Sequence, residues 1–209
     1  MKPDLPVPDF LIDSIPDIHG TKSRELLRHI EIQACASNVF VWLKQLRIAP
    51  YSYDLLDNRG IKSPGYIIEN LPQLTNNTHF LLAFHIFMFE ENRFIAGQFC
   101  KPINPPVNRY LKEMYIEYRI QEIGTDSRLW SKVKGWYNDD LASKGFYWIF
   151  SAVNLFMTRR QLRNIKKLSE RLKTGKVKSG IYNLSNYYAE SGLFWWIFCR
   201  RKKRKGLLK

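Results

Sequence analysis

The sequence predicts an α+β fold in which a curved antiparallel β-sheet wraps around a long C-terminal helix. Three patterns indicate it: an alternating apolar run after residue 24, two later strand pairs joined by polar turns, and a helical stripe after Gly145. The 209 residues suffice for one core with an appendage, and 45% of them are apolar. We therefore expect an extended leader over residues 1–23, one domain over 24–174 and a tail over 175–209.

The first strand and the first helix follow directly after the leader, which contains four prolines. From Leu26 to Ala34 the side chains alternate with the period of two that is typical of a half-buried strand. Ser37 then precedes apolar residues at i, i+3 and i+4 spacing. This pattern predicts a short helix that Ser37 would cap and Pro50 would end.

Two hairpins are predicted in the middle of the chain. Residues 79–89 are apolar on both faces, and Glu90-Glu91-Asn92 turns the chain into residues 93–100, which indicates a buried hairpin. Residues 116–121 alternate between apolar and polar, and a polar turn leads into residues 129–136. The second hairpin is therefore expected to have one solvated face.

A long helix is predicted from the apolar stripe that continues to Gly175. About 27 residues at 1.5 Å each would span about 40 Å. Residues 146–150 are apolar all round, which predicts that the first half of this helix is buried. The order of strand, helix, antiparallel strands and closing helix is that of a helix-grip fold.

The formal net charge of +14 is concentrated near the C-terminus: residues 159–178 hold nine Lys/Arg and one acid, and residues 200–209 hold seven Lys/Arg and no acid. The rest of the chain is nearly neutral, so an anionic membrane surface fits at least as well as nucleic acid, which we disfavour. Aromatic residues beside a basic run are typical of membrane-surface segments. The segment comprises Trp195, Trp196, Arg200, Arg201, Lys202, Lys203, Arg204 and Lys205. A solvated basic end is the simpler alternative.

Metal, cofactor and secretion signals are not evident in the sequence. The three cysteines form no C-x-x-C pair, and the four histidines have no metal-ligand spacing. The N-terminus alternates prolines with acids instead of carrying a secretory signal. We therefore expect no metal, no cofactor and a cytoplasmic location, with peripheral membrane contact as an extension.

Three segments resemble the SRPBCC superfamily (START-like, polyketide cyclase-like), in particular its uncharacterised bacterial members. They are the helix entry at Val41-Trp42-Leu43, the Tyr51-Ser52-Tyr53-Asp54-Leu55-Leu56-Asp57-Asn58 segment, and residues 154–166 of the last helix. The resemblance covers residues 24–174. It implies a helix-grip fold with a cavity between sheet and last helix, which holds an apolar or amphipathic small molecule. The tail has no counterpart in it.

The cavity that the resemblance implies would be lined by seven aromatic residues and one amide. These are Trp42, Tyr51, Tyr53, Phe84, Tyr118, Trp130, Phe150 and Asn154. For each aromatic residue alone, ordinary core packing is the commoner role.

Only weak candidates for acid–base chemistry occur in the sequence. Asp54 and Asp57 lie three residues apart, and His85 lies in an apolar strand. Helix capping, turn formation and a satisfied core histidine are the roles we favour for them. We therefore expect ligand binding without catalysis. A cyclase-like or aromatase-like enzyme with the same cavity and a scaffold with a collapsed cavity are the alternatives.

Overall fold

The computed structural model describes residues 6–53, 62–81, 83–99, 107 and 109–183. Within these residues the secondary structure comprises a 3-10 helix (Leu11–Ser14), β1 (Thr21–Ile32), α1 (Ala36–Gln45), β2 (Ile67–Ile68), β3 (His79–Phe80), β4 (Phe84–Glu90), β5 (Phe94–Phe99), β6 (Leu111–Ile123), β7 (Asp126–Asn138), α2 (Leu141–Lys173) and β8 (Ser179–Gly180). Six of the strands form one sheet in the order β1-β7-β6-β5-β4-β3, and β2 and β8 form a separate parallel pair.

The predicted α+β helix-grip fold is confirmed. All pairs in the main sheet are antiparallel, and the two longest strands, β6 and β7, form one hairpin. Both helices pack on one side of this sheet, which we call the inner face, and the core lies between. The β4–β5 hairpin also forms as expected, although the first strand of that region is divided into β3 and β4, and Leu81, directly after β3, has a positive φ.

The leader covers the outer face of the second hairpin, β6 and β7, so the expectation that one face of this hairpin is solvated was wrong. Phe10 and Ile12 are buried and pack against Trp130 of β7. The Lys132 ammonium nitrogen lies 2.5 Å from a carboxylate oxygen of Asp13 and 2.8 Å from a carboxylate oxygen of Glu25. These contacts bury the outer face of β7, and since the helices cover its inner face, the strand is buried on both sides.

The long helix α2 starts earlier than predicted because Asp140 caps it. The Asp140 carboxylate accepts hydrogen bonds from the Ser143 backbone NH at 2.9 Å and from the Ser143 hydroxyl at 2.8 Å. The 33 residues of the helix correspond to about 50 Å. Similarly, α1 begins at Ala36 with Cys35 at the cap position, so Ser37 is not the cap that we expected.

The two halves of α2 are packed differently. Leu162, Ile165 and Leu168 in the second half are buried in the core. In the first half, Trp148 and Ile149 are 73% and 70% exposed. The predicted burial of this half was wrong, because only one side of the helix meets the sheet there. No helix among the described residues has the length and hydropathy needed to span a membrane.

Candidate functional site

A cavity of about 90 Å³ lies between the inner face of the sheet and the first half of α2. It is lined by Pro50, Ser52, Leu81, Phe84, Met114, Ile116, Tyr118, Val133, Phe150, Val153, Asn154, Met157, Thr158 and Gln161. About 10–15 Å³ of such space is enough for one water molecule, so the cavity has room for several waters. The cavity lies between the sheet and the last helix, where the resemblance to the SRPBCC superfamily implies one.

The floor of the cavity follows from the period of two along the strands. Met114, Ile116 and Tyr118 occupy alternate positions of β6, so all three side chains point to the inner face. Val133 of β7 pairs with Ile116 across the ladder and adds to the same surface. Phe84 of β4 completes the floor and packs edge-to-face on Phe99.

The roof of the cavity follows from the helical period of α2. Its six lining residues are separated by three, four or one positions and therefore lie on one face of the helix. They are Phe150, Val153, Asn154, Met157, Thr158 and Gln161. Three of these are polar, so the roof supplies most of the hydrogen-bonding groups of the cavity.

A buried hydrogen-bond chain closes one end of the cavity. The Tyr118 hydroxyl donates to Oε1 of Gln161, and Nε2 of Gln161 donates to the Pro50 carbonyl at 2.6 Å. Burial raises the pKa of Tyr118 well above its ordinary value, and hydrogen bonds with Ser131 and Gln161 oppose this rise only in part. The phenol is therefore neutral at pH 7 and acts as a hydrogen-bonding group.

The loop after α1 is fixed at the rim of the cavity by side chains from both helices. Asn164 of α2 donates to the Tyr51 carbonyl at 2.8 Å, next to the Pro50 carbonyl that Gln161 holds. Gln45 of α1 donates to the Tyr51 hydroxyl at 2.9 Å. Tyr51 has φ of 55°, in the left-handed region that is costly for a bulky residue. These bonds hold it in that conformation and place Ser52 at the cavity.

The structure brings four of the eight predicted ligand-binding residues together. Phe84, Tyr118, Phe150 and Asn154 line the cavity. Their role in binding stays a prediction.

The other four predicted residues are placed elsewhere. Trp42 and Tyr51 are buried in the core, with their rings edge-to-face at 6.0 Å, and are not among the lining residues. Tyr53 contacts Arg160, whose guanidinium carbon lies 4.5 Å from the ring centroid. Trp130 points to the outer face against Phe10, because it is an odd number of positions from Val133. Placing Trp130 in the cavity was therefore wrong.

The candidate acid–base residues are not brought to the cavity within the described part of the chain. The His85 ring packs on His79 with centroids 4.3 Å apart, and its Nδ1 lies 3.2 Å from the Asn77 carbonyl oxygen. Asp54 and Asp57 lie outside the described residues, as does the predicted membrane segment from Trp195 to Lys205. Residues 6–53, 62–81, 83–99, 107 and 109–183 contain no cluster of three or more potential metal ligands.

Sequence reasoning missed the polar part of the roof. Thr158 and Gln161 lie on the same helical face as Phe150 and Met157, within the apolar stripe that predicted the helix. Polar residues inside such a stripe are the signal that would have found them, because a buried polar side chain needs a hydrogen-bonding partner.

Comparison with family models and with curated protein sequences gives no match. Among solved structures, a norcoclaurine synthase point mutant from Thalictrum flavum has a TM-score of 0.46 at 13% identity, over 73% of this chain and 98% of that one. The di-domain ARO/CYC protein BexL has a TM-score of 0.46 at 11% identity, over 71% of this chain and 50% of that one. The Zhui aromatase/cyclase from a Streptomyces species has a TM-score of 0.45 at 14% identity, over 72% of this chain and 95% of that one.

All three TM-scores are below 0.5 and the identities lie between 11% and 14%, so these likenesses carry no argument about the family, the ligand or the chemistry of this chain.

Proposed function

We propose that this protein binds an apolar or amphipathic small molecule in the cavity beneath α2 and does not transform it. One observation carries the proposal: the described lining residues are apolar or carry neutral polar groups. Such a lining suits an uncharged or weakly polar molecule, because a buried ionic group would need a partner of opposite charge. Neutral hydroxyl and amide groups orient a ligand by hydrogen bonding and are poor proton carriers at pH 7.

Two groups on the roof are available to hold the polar end of such a ligand. Among the described residues, neither the Thr158 hydroxyl nor the Asn154 amide has a hydrogen bond to another protein group. Both side chains line the cavity. By contrast, the Gln161 amide already bonds to Tyr118 and to the Pro50 carbonyl. We expect the polar end of the ligand beside Thr158 and Asn154 and its apolar part over Met114 and Ile116.

Ligand binding is expected to enlarge the cavity. Pockets for organic ligands usually measure roughly 300–1,000 Å³, several times the 90 Å³ seen here. From Lys144 to Met157 no residue of α2 is fully buried. An outward shift of this half would release only partly buried side chains from the core, namely Phe146, Tyr147 and Phe150. Met114 and Met157 are unbranched and flexible, and can change rotamer around a ligand.

Native mass spectrometry of the purified full chain, beside its denatured mass, tests the proposal. We expect a co-purifying molecule of defined mass that is lost on denaturation. Val153→Trp fills the cavity mouth and should abolish this extra mass, because Val153 lines the cavity and is itself only partly covered. Ala152→Trp is the matched control: it adds the same ring at the neighbouring, exposed position, outside the lining.

Two results would contradict the proposal. A ligand that persists in Val153→Trp would lie elsewhere on the protein. If no added mass is found, a panel of fatty acids and polycyclic aromatic compounds should be tested by the thermal shift that they cause. No shift with any of them would favour a scaffold whose cavity is closed.

A further inference from the structure

The outward side of the first half of α2 is an exposed apolar surface. Trp148, Ile149, Val153 and Phe156 are 73%, 70%, 43% and 63% exposed. At 100° per residue these four side chains fall on one side of the helix, away from the sheet. Five of the nine exposed large hydrophobic residues in the described part of the chain lie on α2, so the exposure is concentrated there. Concentrated apolar surface of this kind marks an interaction site.

The same side of the helix becomes cationic one turn further on. Arg159, Arg160, Arg163 and Lys167 are exposed and continue the line of the apolar residues. α2 contains eight Lys/Arg and one acid, Glu170. Glu170 lies 3.5 Å from Lys166, so it does not offset the exposed arginines. Along its axis, this side of α2 therefore presents first an apolar surface and then a positive one.

We propose that this side of α2 is a docking face for an anionic lipid bilayer. The docking face comprises Trp148, Ile149, Val153 and Phe156 with Arg159, Arg160, Arg163 and Lys167. The boundary between headgroups and acyl chains accepts apolar side chains about 5–10 Å deep, and Trp is favoured there. The arginines and the lysine then meet lipid phosphates, an attraction that salt weakens.

Charge complementarity favours a bilayer over a second copy of the chain. In a symmetric pair, the docking face would meet an identical surface, whose single acid on α2 is already beside Lys166. A bilayer with anionic lipid provides both an apolar layer and negative charge at one surface. The inference does not rest on the ligand proposed for the cavity, since the docking face and the cavity lie on opposite sides of the helix and share only Val153 at the edge.

Vesicle co-sedimentation of the full chain tests the inference, with phosphatidylcholine vesicles that contain or lack phosphatidylserine. We expect binding to the anionic vesicles that weakens as salt is raised. Trp148→Ser with Phe156→Ser should lower the partition constant at least about tenfold, because two large side chains no longer enter the bilayer. Arg159→Glu with Arg163→Glu should lower it as well and should reduce its dependence on salt.

Matched controls separate the docking face from general changes in hydrophobicity and charge. Met88→Ser with Ile181→Ser removes two exposed apolar residues outside α2, and Lys62→Glu with Lys112→Glu makes the same charge change elsewhere. The partition constants of both controls should be within about twofold of that of the unaltered chain, which corresponds to a difference in binding free energy well under about 1 kcal/mol. All substituted positions are exposed, and an unchanged melting temperature verifies that each variant is folded.

Three outcomes would overturn the inference. The first is a full chain that does not bind anionic vesicles. The second is unchanged binding by the Trp148→Ser, Phe156→Ser variant, which would move the contact to another segment, such as the basic run after residue 199. The third is a dimer in sedimentation velocity that this variant dissociates while vesicle binding is unchanged, which would identify a second copy as the partner.

Discussion

Gln161 on α2 accepts a hydrogen bond from the Tyr118 hydroxyl on β6, and this contact joins the long helix to the centre of the sheet. Both side chains are buried, and the amide nitrogen of Gln161, Nε2, donates a hydrogen bond to the Pro50 carbonyl at 2.6 Å. One side chain thus connects the floor, the roof and the rim of the cavity. The cavity lies beside this contact, beneath the half of α2 in which no residue from Lys144 to Met157 is fully buried.

Tyr118→Phe tests this connection directly. Removing the hydroxyl leaves Oε1 of Gln161 buried without its donor, and we expect the free energy of unfolding to fall by about 1–3 kcal/mol. Urea denaturation followed by circular dichroism measures the change. Tyr110→Phe is the control, because no hydrogen bond involves that hydroxyl among the described residues and the stacking on Phe146 is kept.

A double-mutant cycle shows whether the effect belongs to the pair. If Tyr118 and Gln161 act together, Gln161→Met with Tyr118→Phe should cost less than the sum of the two single changes, since no unsatisfied partner remains. Additive costs would mean that the two residues stabilise the protein independently.

The sequence predicted the fold well because regular periods carry most of that information. Alternation along β6 and the helical stripe of α2 each depend on residues within one element. The position of Trp130 was missed for a different reason: a strand shows which residues share a face, but which face meets the helices depends on contacts far along the chain. The exposure of Trp148 was missed similarly, because an apolar helix surface does not reveal whether anything covers it.

Gly124 at the β6–β7 turn is expected to be required for its backbone conformation. Its φ of 61° is in the left-handed region, and a Cβ there would have no neighbouring atom within 4 Å. Gly124→Ala should therefore lower the free energy of unfolding by about 1–2 kcal/mol through backbone strain alone. Gly65→Ala is the control, because it adds a methyl group in equally open space without a positive φ. If Gly124→Ala and Gly65→Ala lowered the melting temperature equally, backbone strain at Gly124 would not be the cause.

The leader is expected to stabilise the sheet that it covers. Ile12 is buried among Phe10, Trp130 and the outer face of the sheet, and its backbone NH donates to Glu117 at 3.2 Å. Ile12→Ala should lower the free energy of unfolding by about 2–5 kcal/mol, the usual range for a buried isoleucine. Val7→Ala, at an exposed position of the same segment, should change it by less than about 0.5 kcal/mol. If urea denaturation gave the same small loss of unfolding free energy for Ile12→Ala as for Val7→Ala, the leader would not contribute to the stability of the sheet.

Glu117 beneath the leader is expected to make stability depend on pH. Burial raises the pKa of its carboxyl above the ordinary value of 4.5, and the Arg119 guanidinium at 2.6 Å opposes this shift without cancelling it. The folded state therefore holds the proton more tightly than the unfolded chain does. The resulting stabilisation is complete below pH 4.5 and is lost as the pH rises through the folded-state pKa.

Glu117→Gln isolates this contribution, since glutamine has the same shape and does not titrate. The free energy of unfolding should be compared for the two proteins in urea at a series of pH values above 4.5. We expect the unaltered chain to lose stability relative to Glu117→Gln as the pH rises, and the difference to become constant once the folded carboxyl is ionised. The opposite slope would mean that the ion pair with Arg119 outweighs burial and lowers the pKa of Glu117.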